Sequence, residues 1–346
     1  MFFCIDYNHS LENVLRSLGA SYYTISPGVD SGVNPFQWPD NSELRQHLFD
    51  TVLACAGGAS VTDEDEQSLI SDSIDAVMRH SIVSNRGMSL LIQNISPKGG
   101  NCLHTRLSKW CRSKNGQYSW VLDSPRNKFD PTSYTRLAFD ATKIMSKEYA
   151  KKHGVAMEVI YSNLFYLKSL MHKVQPGKLL INIMAEYWVP LSFESTAEKI
   201  KEILKSGRTR GEILMMDTQS PEDALETDYA APIVQQVVTS IWLANKKAER
   251  AGYSRFGVKG KVFDAVADLH PTSREMVVLQ GGEAVKLRFS LSDKLKYWLP
   301  LLSSTDKNLP IANQIRNDLN SEDPSVWVVP FLDEMARINR EKNNEE

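Results

Sequence analysis

Short apolar runs, several ending on a polar residue, alternate along the chain with stretches whose apolar positions recur every three or four residues. The runs are 2–5 ended by Asp6, 21–25, 117–122 ended by Asp123, 137–139 ended by Asp140, 179–188, 212–221 and 238–243. Two further runs, 275–280 and 284–289, flank Gly281-Gly282-Glu283 and predict a hairpin in which Gly supplies positive φ. Helical spacing appears at 10–18, with Leu11, Val14, Leu15 and Leu18 on one face and Gly19 to stop it. It appears again at 42–56, 62–79, 101–112, 157–171, 232–237 and 291–302, and in the basic-ended stretch Leu204 to Arg210 between the two central runs. Apolar strands alternating with helices predict an α/β fold with a mostly parallel sheet covered on both faces.

The segment 41–112 breaks this alternation, because it holds no strand pattern. It reads as a helical lobe inserted into a sheet domain formed by 1–40 and 113–305, with 306–346 as a C-terminal extension whose charged end, 337–346, frays. Before the lobe, 27–39 is a loop turned by Pro27-Gly28, Ser31-Gly32 and Asn34-Pro35, with Phe36 and Trp38 pinning it to the body. Thr62 reads as the N-cap of the helix at 62–79. A core strand that starts at the second residue suggests that sequence is missing upstream.

Composition narrows the class. At 346 residues, 42% hydrophobic and 24% charged, the chain is long enough for one large domain or two lobes. A net charge of −2 gives no global reason to expect nucleic acid, and the basic run Lys246, Lys247, Arg250, Arg255 and Lys259 reads as a solvated face. No apolar run approaches the ~20 residues that span a bilayer. Cys4, Cys55, Cys102 and Cys111 are scattered without a CxxC pair, which argues against a zinc or disulfide framework and for a reducing compartment. The seven His have no metal spacing, and the acids at 63–66 answer the dipole of a helix start, so no protein-held metal site is expected.

Ligands of parallel sheets sit outside the carboxyl ends of the strands. Glu186 and Gln219 stand there on the two central strands, where an acid and an amide can address a water beside a phosphate, with Arg208 between them in sequence. The competing reading makes each a cap or turn residue. A phosphate-cradling GxxxxGK[ST] is absent: Gly177-Lys178 and Gly260-Lys261 lack both the upstream Gly and the following Ser or Thr. The strand-end place where an Asp would hold Mg²⁺ is Ala185.

Several segments, in order, resemble the motor domain of the CagE/TrbE/VirB family of type IV secretion ATPases, the fourth VirB component. They are Asp6 with 15–22, the loop Pro27 to Gln37 containing Asn34-Pro35-Phe36, Arg106-Leu107-Ser108-Lys109-Trp110, Trp120-Val121-Leu122-Asp123 and Phe139-Asp140-Ala141-Thr142. Ala185-Glu186-Tyr187-Trp188 is similar to the family's DEaW, 204–211 to its LKt.RK.ng, Thr218-Gln219-Ser220-Pro221 to its TQSp, and 233–245 to its I.eq..T.I.l.N. The resemblance spans about residues 2–302. It implies a RecA-like P-loop NTPase-type sheet with a helical lobe. It also implies ATP and Mg²⁺ as ligands, a homo-oligomer, commonly a hexamer, and other secretion components as partners at the cytoplasmic face of the inner membrane.

Carried over residue by residue, Glu186 polarises the attacking water, Gln219 senses the γ-phosphate and Arg208 stabilises transition-state charge, in one subunit or across an interface. Asp6, Thr218 and Arg210 are the expected nucleotide-binding residues. Position 185 departs from the pattern, and so do Tyr7, Asn8 and His9 after Asp6. Three readings follow: a secretion ATPase motor domain, truncated or degenerate; a non-catalytic assembly subunit of the same machinery; and a DNA-translocating motor of the coupling-protein type.

Overall fold

A computed structural model describes residues 1–219, 221, 225, 229, 236–291 and 293–345. The helix expected at 232–237 lies almost wholly outside the described residues, as do Ser220 and 222–224 of the TQSP segment. In chain order the principal elements begin with β1 (Phe2–Asp6), α1 (Glu12–Ser17), β2 (Ser21–Thr24), α2 (Ser42–Cys55), α3 (Glu64–Met78) and β3 (Arg136–Asp140). They continue with α4 (Lys147–Lys173), β4 (Leu180–Met184), α5 (Glu194–Arg210), β5 (Glu212–Met216) and β6 (Thr239–Trp242). Next come α6 (Arg250–Arg255), α7 (Gly260–Ala267), β7 (Glu275–Gln280), β8 (Glu283–Arg288), α8 (Leu309–Asp318) and α9 (Pro324–Glu345).

The chain divides into two compact units. The first is Met1, Tyr23–Thr135 and Phe139–Lys178. Its Asn34-Pro35-Phe36 loop is fixed by the Asn34 side chain, whose Oδ1 accepts from Phe36 N (3.2 Å) and whose Nδ2 donates to the carbonyls of Arg86 (3.0 Å) and Ser124 (2.8 Å). Phe36 and Trp38 are buried, as their place in the loop predicts. Helix α3 is capped by Asp63, whose Oδ1 accepts from Glu66 N at 2.8 Å. The expected cap, Thr62, instead turns its hydroxyl to the Gly58 carbonyl. The run 117–122 is not a strand: Ser119–Leu122 is one helical turn with Trp120, Val121 and Leu122 buried. An apolar run this short, with no polar side to set a period, fits either state.

The second unit is Phe2–Tyr22, Arg136–Ala138 and Leu179–Glu346. The five-stranded sheet has the order β2-β3-β1-β4-β5, and β1, β4 and β5 run parallel. Phe2 lies opposite Ile181 and Ile5 opposite Met184, while Leu180 faces Glu212 and Met184 faces Met216. Gly211, at φ 71°, closes α5 in a left-handed cap and turns the chain directly into β5. Coverage of both sheet faces holds for β1 and not for β5, where Ile213 and Met215 are 44% and 55% exposed. β6, β7 and β8 form a separate antiparallel sheet, with the expected hairpin, over a core of Tyr253, Val258, Phe263, Val266, Leu269 and Val277. The C-terminal helices pack Trp327 and Phe331 into a third core, and α9 continues to Glu345 rather than ending at 337.

Candidate functional site

Because β1, β4 and β5 are parallel neighbours, their carboxyl ends share one edge. Asp6 ends β1, Asp217 follows β5, and Glu186 comes two residues after β4. The sheet ladder runs past the last strand residues: Ala185 N donates to the Ile5 carbonyl (2.9 Å) and Asp217 N to the Met184 carbonyl (3.1 Å). Glu186 then turns into the left-handed region at φ 50°, a conformation that costs a non-glycine residue of order 1–3 kcal/mol unless its surroundings enforce it. The enforcement is visible. Tyr187 N, rather than Glu186 N, reaches the Asp217 carbonyl (3.1 Å), and the displaced Glu186 N is taken up by Asp217 Oδ1 (3.2 Å).

The Glu186 side chain is only 7% exposed. Its Oε2 accepts from the indole Nε1 of Trp188 (2.9 Å) and lies 3.4 Å from the Thr218 hydroxyl. Gln219 follows directly and is exposed. The structure thus brings Glu186, Thr218 and Gln219 to adjacent ends of β4 and β5 on a common rim. Asp217 lies at the surface with its carboxyl turned toward Glu186. Desolvation on that side, and then the Glu186 and Asp6 carboxylates, push the Asp217 carboxyl above its ordinary range, against the hydrogen bond from the Glu186 amide.

The other expected residues are placed differently. Asp6 is fully buried, and its two oxygens accept from Tyr7 N (2.9 Å), Ser10 Oγ (2.8 Å), Leu11 N (3.0 Å) and Tyr22 OH (2.7 Å). Four donors fill the roughly four lone-pair sites of a carboxylate, so Asp6 anchors the β1–α1 turn instead of binding a nucleotide. Desolvation raises its carboxyl above the ordinary range although all four hydrogen bonds oppose the shift. Arg208 and Arg210 lie in the last turn of α5, at the entry to β5. At about 3.3 Å per strand residue, the five residues of β5 put them roughly 16 Å from the rim. Arg210 is also engaged there, with Glu202 and with Glu212 Oε1 at 3.3 Å. Arg210 is therefore not a nucleotide-binding residue of this edge, and Arg208, which is exposed, cannot serve the Glu186 of its own chain.

Ala185 offers no donor to a cation, so the position itself does not fit Mg²⁺. Among the described residues no group of three or more His, Cys, Asp or Glu is placed to hold a metal ion. The residues that sequence reasoning missed are Asp217 and Trp188. Asp217 carried the same signal as Glu186, a polar residue ending an apolar run. The Trp188 bond to its neighbour but one arises from the left-handed turn between them, which no residue pattern announced.

Comparison with known proteins finds relatives along nearly the whole chain. The VirB4 type IV secretion proteins of Brucella abortus are 28% identical over 98% of this chain. The type IV secretion protein PtlC of Bordetella pertussis is 27% identical over 94% of it. The chain is a relative of the VirB4 proteins. It spans about two-fifths of the length of these curated relatives, 41% for the Brucella protein and 39% for PtlC. No family model matches it. Among solved structures, VirB4 of Thermoanaerobacter pseudethanolicus superposes with a TM-score of 0.65 at 13% identity, over 85% of this chain and 82% of that one. The bacterial conjugative coupling protein TrwB superposes with a TM-score of 0.52, also at 13% identity, over 84% and 78%. The likeness to both is one of fold, the RecA-like α/β fold with a mostly parallel sheet that the resemblance implied. None of the helices among the described residues is long and apolar enough to cross a membrane.

Proposed function

We propose that this chain supplies the hydrolytic wall of an ATP-driven motor in a type IV secretion or conjugation apparatus. One observation carries the reading: Glu186 is buried at a strand end, its carboxylate clamped by Trp188 beside Thr218, with Gln219 next on the neighbouring strand. An acid held in this way keeps a fixed acceptor for the proton side of a water molecule. The amide of Gln219 on the same rim can hydrogen-bond a phosphate oxygen. In phosphoryl transfer the protein's work is mostly positioning and charge stabilisation. A bound Mg²⁺ would neutralise charge between the β- and γ-phosphates. Arg208, far from its own rim and exposed, suits a neighbouring copy in a ring, where such a residue is worth ~10³–10⁵ in rate. This assigns the chain a homo-oligomer, secretion components as partners, and a place at the cytoplasmic face of the inner membrane.

A second reading, an assembly subunit without turnover, is favoured by Ala185 and by the lack of GxxxxGK[ST] in these residues. Calorimetric titration of the chain with ATP separates the two. Weak binding whose heat or affinity changes in Glu186→Gln and Thr218→Ala supports the motor wall. An absence of heat at millimolar ATP supports the assembly subunit.

A further inference from the structure

The antiparallel sheet β6-β7-β8 has two unlike faces. Register pairs Trp242 with Val277, and both turn, with Leu279, toward the core that α6 and α7 build from Tyr253, Phe263 and Val266. Side chains alternate across a strand, so the next residues on each side point the other way. There Ile241, Val278 and Val285 form one row across the three strands. Leu243, Met276 and Leu287 form the next, since Met276 pairs with Leu287 and Leu243 follows β6 in the same register. Ile241, Leu243, Val285 and Leu287 are 44–65% exposed, with Met276 and Val278 half-buried between them. Apolar side chains exposed singly are ordinary, but rows of them in register make the contiguous patch that marks an interaction site.

Charge is distributed unevenly around this patch. Residues 239–288, from β6 to β8, carry nine Lys and Arg against five Asp and Glu, a net +4 in a chain of net −2. Lys246 and Lys247 lie in the turn that follows β6, held by the bond from Lys247 N to Asn245 Oδ1 (2.9 Å), and Arg274 immediately precedes β7. Because β6 and β7 are antiparallel, these three exposed cations gather at one end of the face, beyond Leu243 and Met276. A polar row closes the other end. Gln280 Nε2 donates to Thr239 Oγ1 (3.1 Å), and Glu283 pairs with Gln280.

We propose that the open face of the β6-β7-β8 sheet is a docking surface for an acidic amphipathic helix of a partner protein. Its width decides for a single helix. Three strands about 4.8 Å apart span ~10 Å, which one helix of 10–12 Å diameter covers. Two rows ~7 Å apart amount to a few hundred Å² at most, well short of the ~800 Å² per partner that a stable dimer buries. The charges decide the helix's character. Its apolar stripe, recurring every three or four residues, lies on the two rows, and its acidic side chains reach Lys246, Lys247 and Arg274. The same cations favour the negative end of the helix dipole, so its C-terminus lies at that end and its N-terminus near Glu283. This surface does not involve the Glu186 rim, and the inference stands apart from the function proposed there.

The test uses two helical peptides of about 18 residues with one leucine stripe in common, the first with glutamates and the second with lysines on its polar face. Binding to the whole chain is read by fluorescence anisotropy. The glutamate peptide is expected to bind roughly tenfold tighter at low salt, with a preference that shrinks as salt rises. Lys246→Glu/Lys247→Glu/Arg274→Glu is expected to remove or reverse the preference. Val285→Ser/Leu287→Ser is expected to weaken both peptides while leaving the unfolding midpoint close to that of the unmodified chain, since both side chains are already exposed. Failure of either peptide to bind, equal affinity for the two, a preference that survives the charge reversal, or binding unchanged in Val285→Ser/Leu287→Ser overturns the proposal. Dimers in sedimentation that Val285→Ser/Leu287→Ser dissociates would give the face to a second copy and overturn it too. So would adsorption to phosphatidylglycerol vesicles that the same variant abolishes and the glutamate peptide does not displace, because the face would then serve a lipid surface.

Discussion

Three acidic residues at the ends of adjacent strands do three different jobs, and what decides among them is the supply of donors. Asp6 is saturated by four protein donors and is structural. Glu186 is held by one indole and a long hydroxyl contact, which fixes it without exhausting it. Asp217 gives one oxygen to a displaced backbone amide. Asp6→Asn replaces one acceptor oxygen with an NH₂ that faces donors, and it is expected to cost about 2 kcal/mol in chemical denaturation, since at least one buried donor loses its partner. The pH dependence has a definite sign. With its folded pKa raised, Asp6 binds its proton more readily in the native state than in the unfolded chain. Its ionisation therefore lowers stability as pH climbs from the ordinary aspartate range into the raised one, and that downward slope should vanish in Asp6→Asn. From sequence, Asp6 and Glu186 looked alike, each a polar residue closing an apolar run. Their difference lies in partners brought by Ser10, Leu11 and Tyr22, which a strand-end pattern does not reveal.

The elements that were legible are those with a clear boundary. β1, β4, β5 and the β7–β8 hairpin carry apolar or alternating runs bounded by polar residues or glycines, and all appear where expected. The turn 119–122 was misread because four apolar-rich residues set no period. The attachment of the C-terminal helices to α1 was invisible, since it joins residues some 300 positions apart, through the bond from Asn13 N to Ser304 Oγ (2.9 Å) and a buried ionic cluster. Glu12 on α1 meets Arg16 Nε at 2.8 Å and Arg316 of α8 at 3.4 Å, and both Glu12 and Arg316 are 5% exposed. Desolvation pushes the Glu12 carboxyl up, but His9 and Arg16 outweigh it and the net shift is downward. Its stabilising share is thus present above the ordinary glutamate range and is lost as pH falls through the folded pKa, opposite in direction to Asp6. Glu12→Gln removes one of the two acids that face the buried Arg316 guanidinium, the other being Glu322 with Oε2 3.3 Å from Arg316 Nε, and is expected to cost about 2 kcal/mol in a denaturant titration. At the other side of the unit, β5 is the last strand of its sheet among the described residues, with Ile213 and Met215 exposed. A bare apolar strand at a sheet edge invites pairing with another chain. Met215→Lys is expected to reduce concentration-dependent association in sedimentation without lowering the unfolding midpoint.

At the scale of the whole molecule, the question is whether the rim alone can turn over ATP. On the function proposed above, Glu186, Thr218 and Gln219 would address the water and the terminal phosphate, but phosphoryl transfer on such a fold also needs a backbone cradle and a lysine for the β- and γ-phosphates. The 346 residues contain no GxxxxGK[ST]. Positioning and charge stabilisation provide nearly all the catalysis in phosphoryl transfer, so a rim without a cradle keeps its geometry and loses its grip on the substrate. The purified chain is therefore expected to release phosphate from ATP no faster than its Glu186→Gln variant. Ala185→Asp by itself should not raise that rate, because restoring one carboxylate leaves the phosphates unheld. A steady-state phosphate-release assay on the three proteins decides it. Robust release by the unmodified chain that Glu186→Gln abolishes would show that these residues grip the phosphates by a structure other than a glycine-rich loop. A gain from Ala185→Asp alone would place the limitation in the cation's carboxylate and not in the cradle.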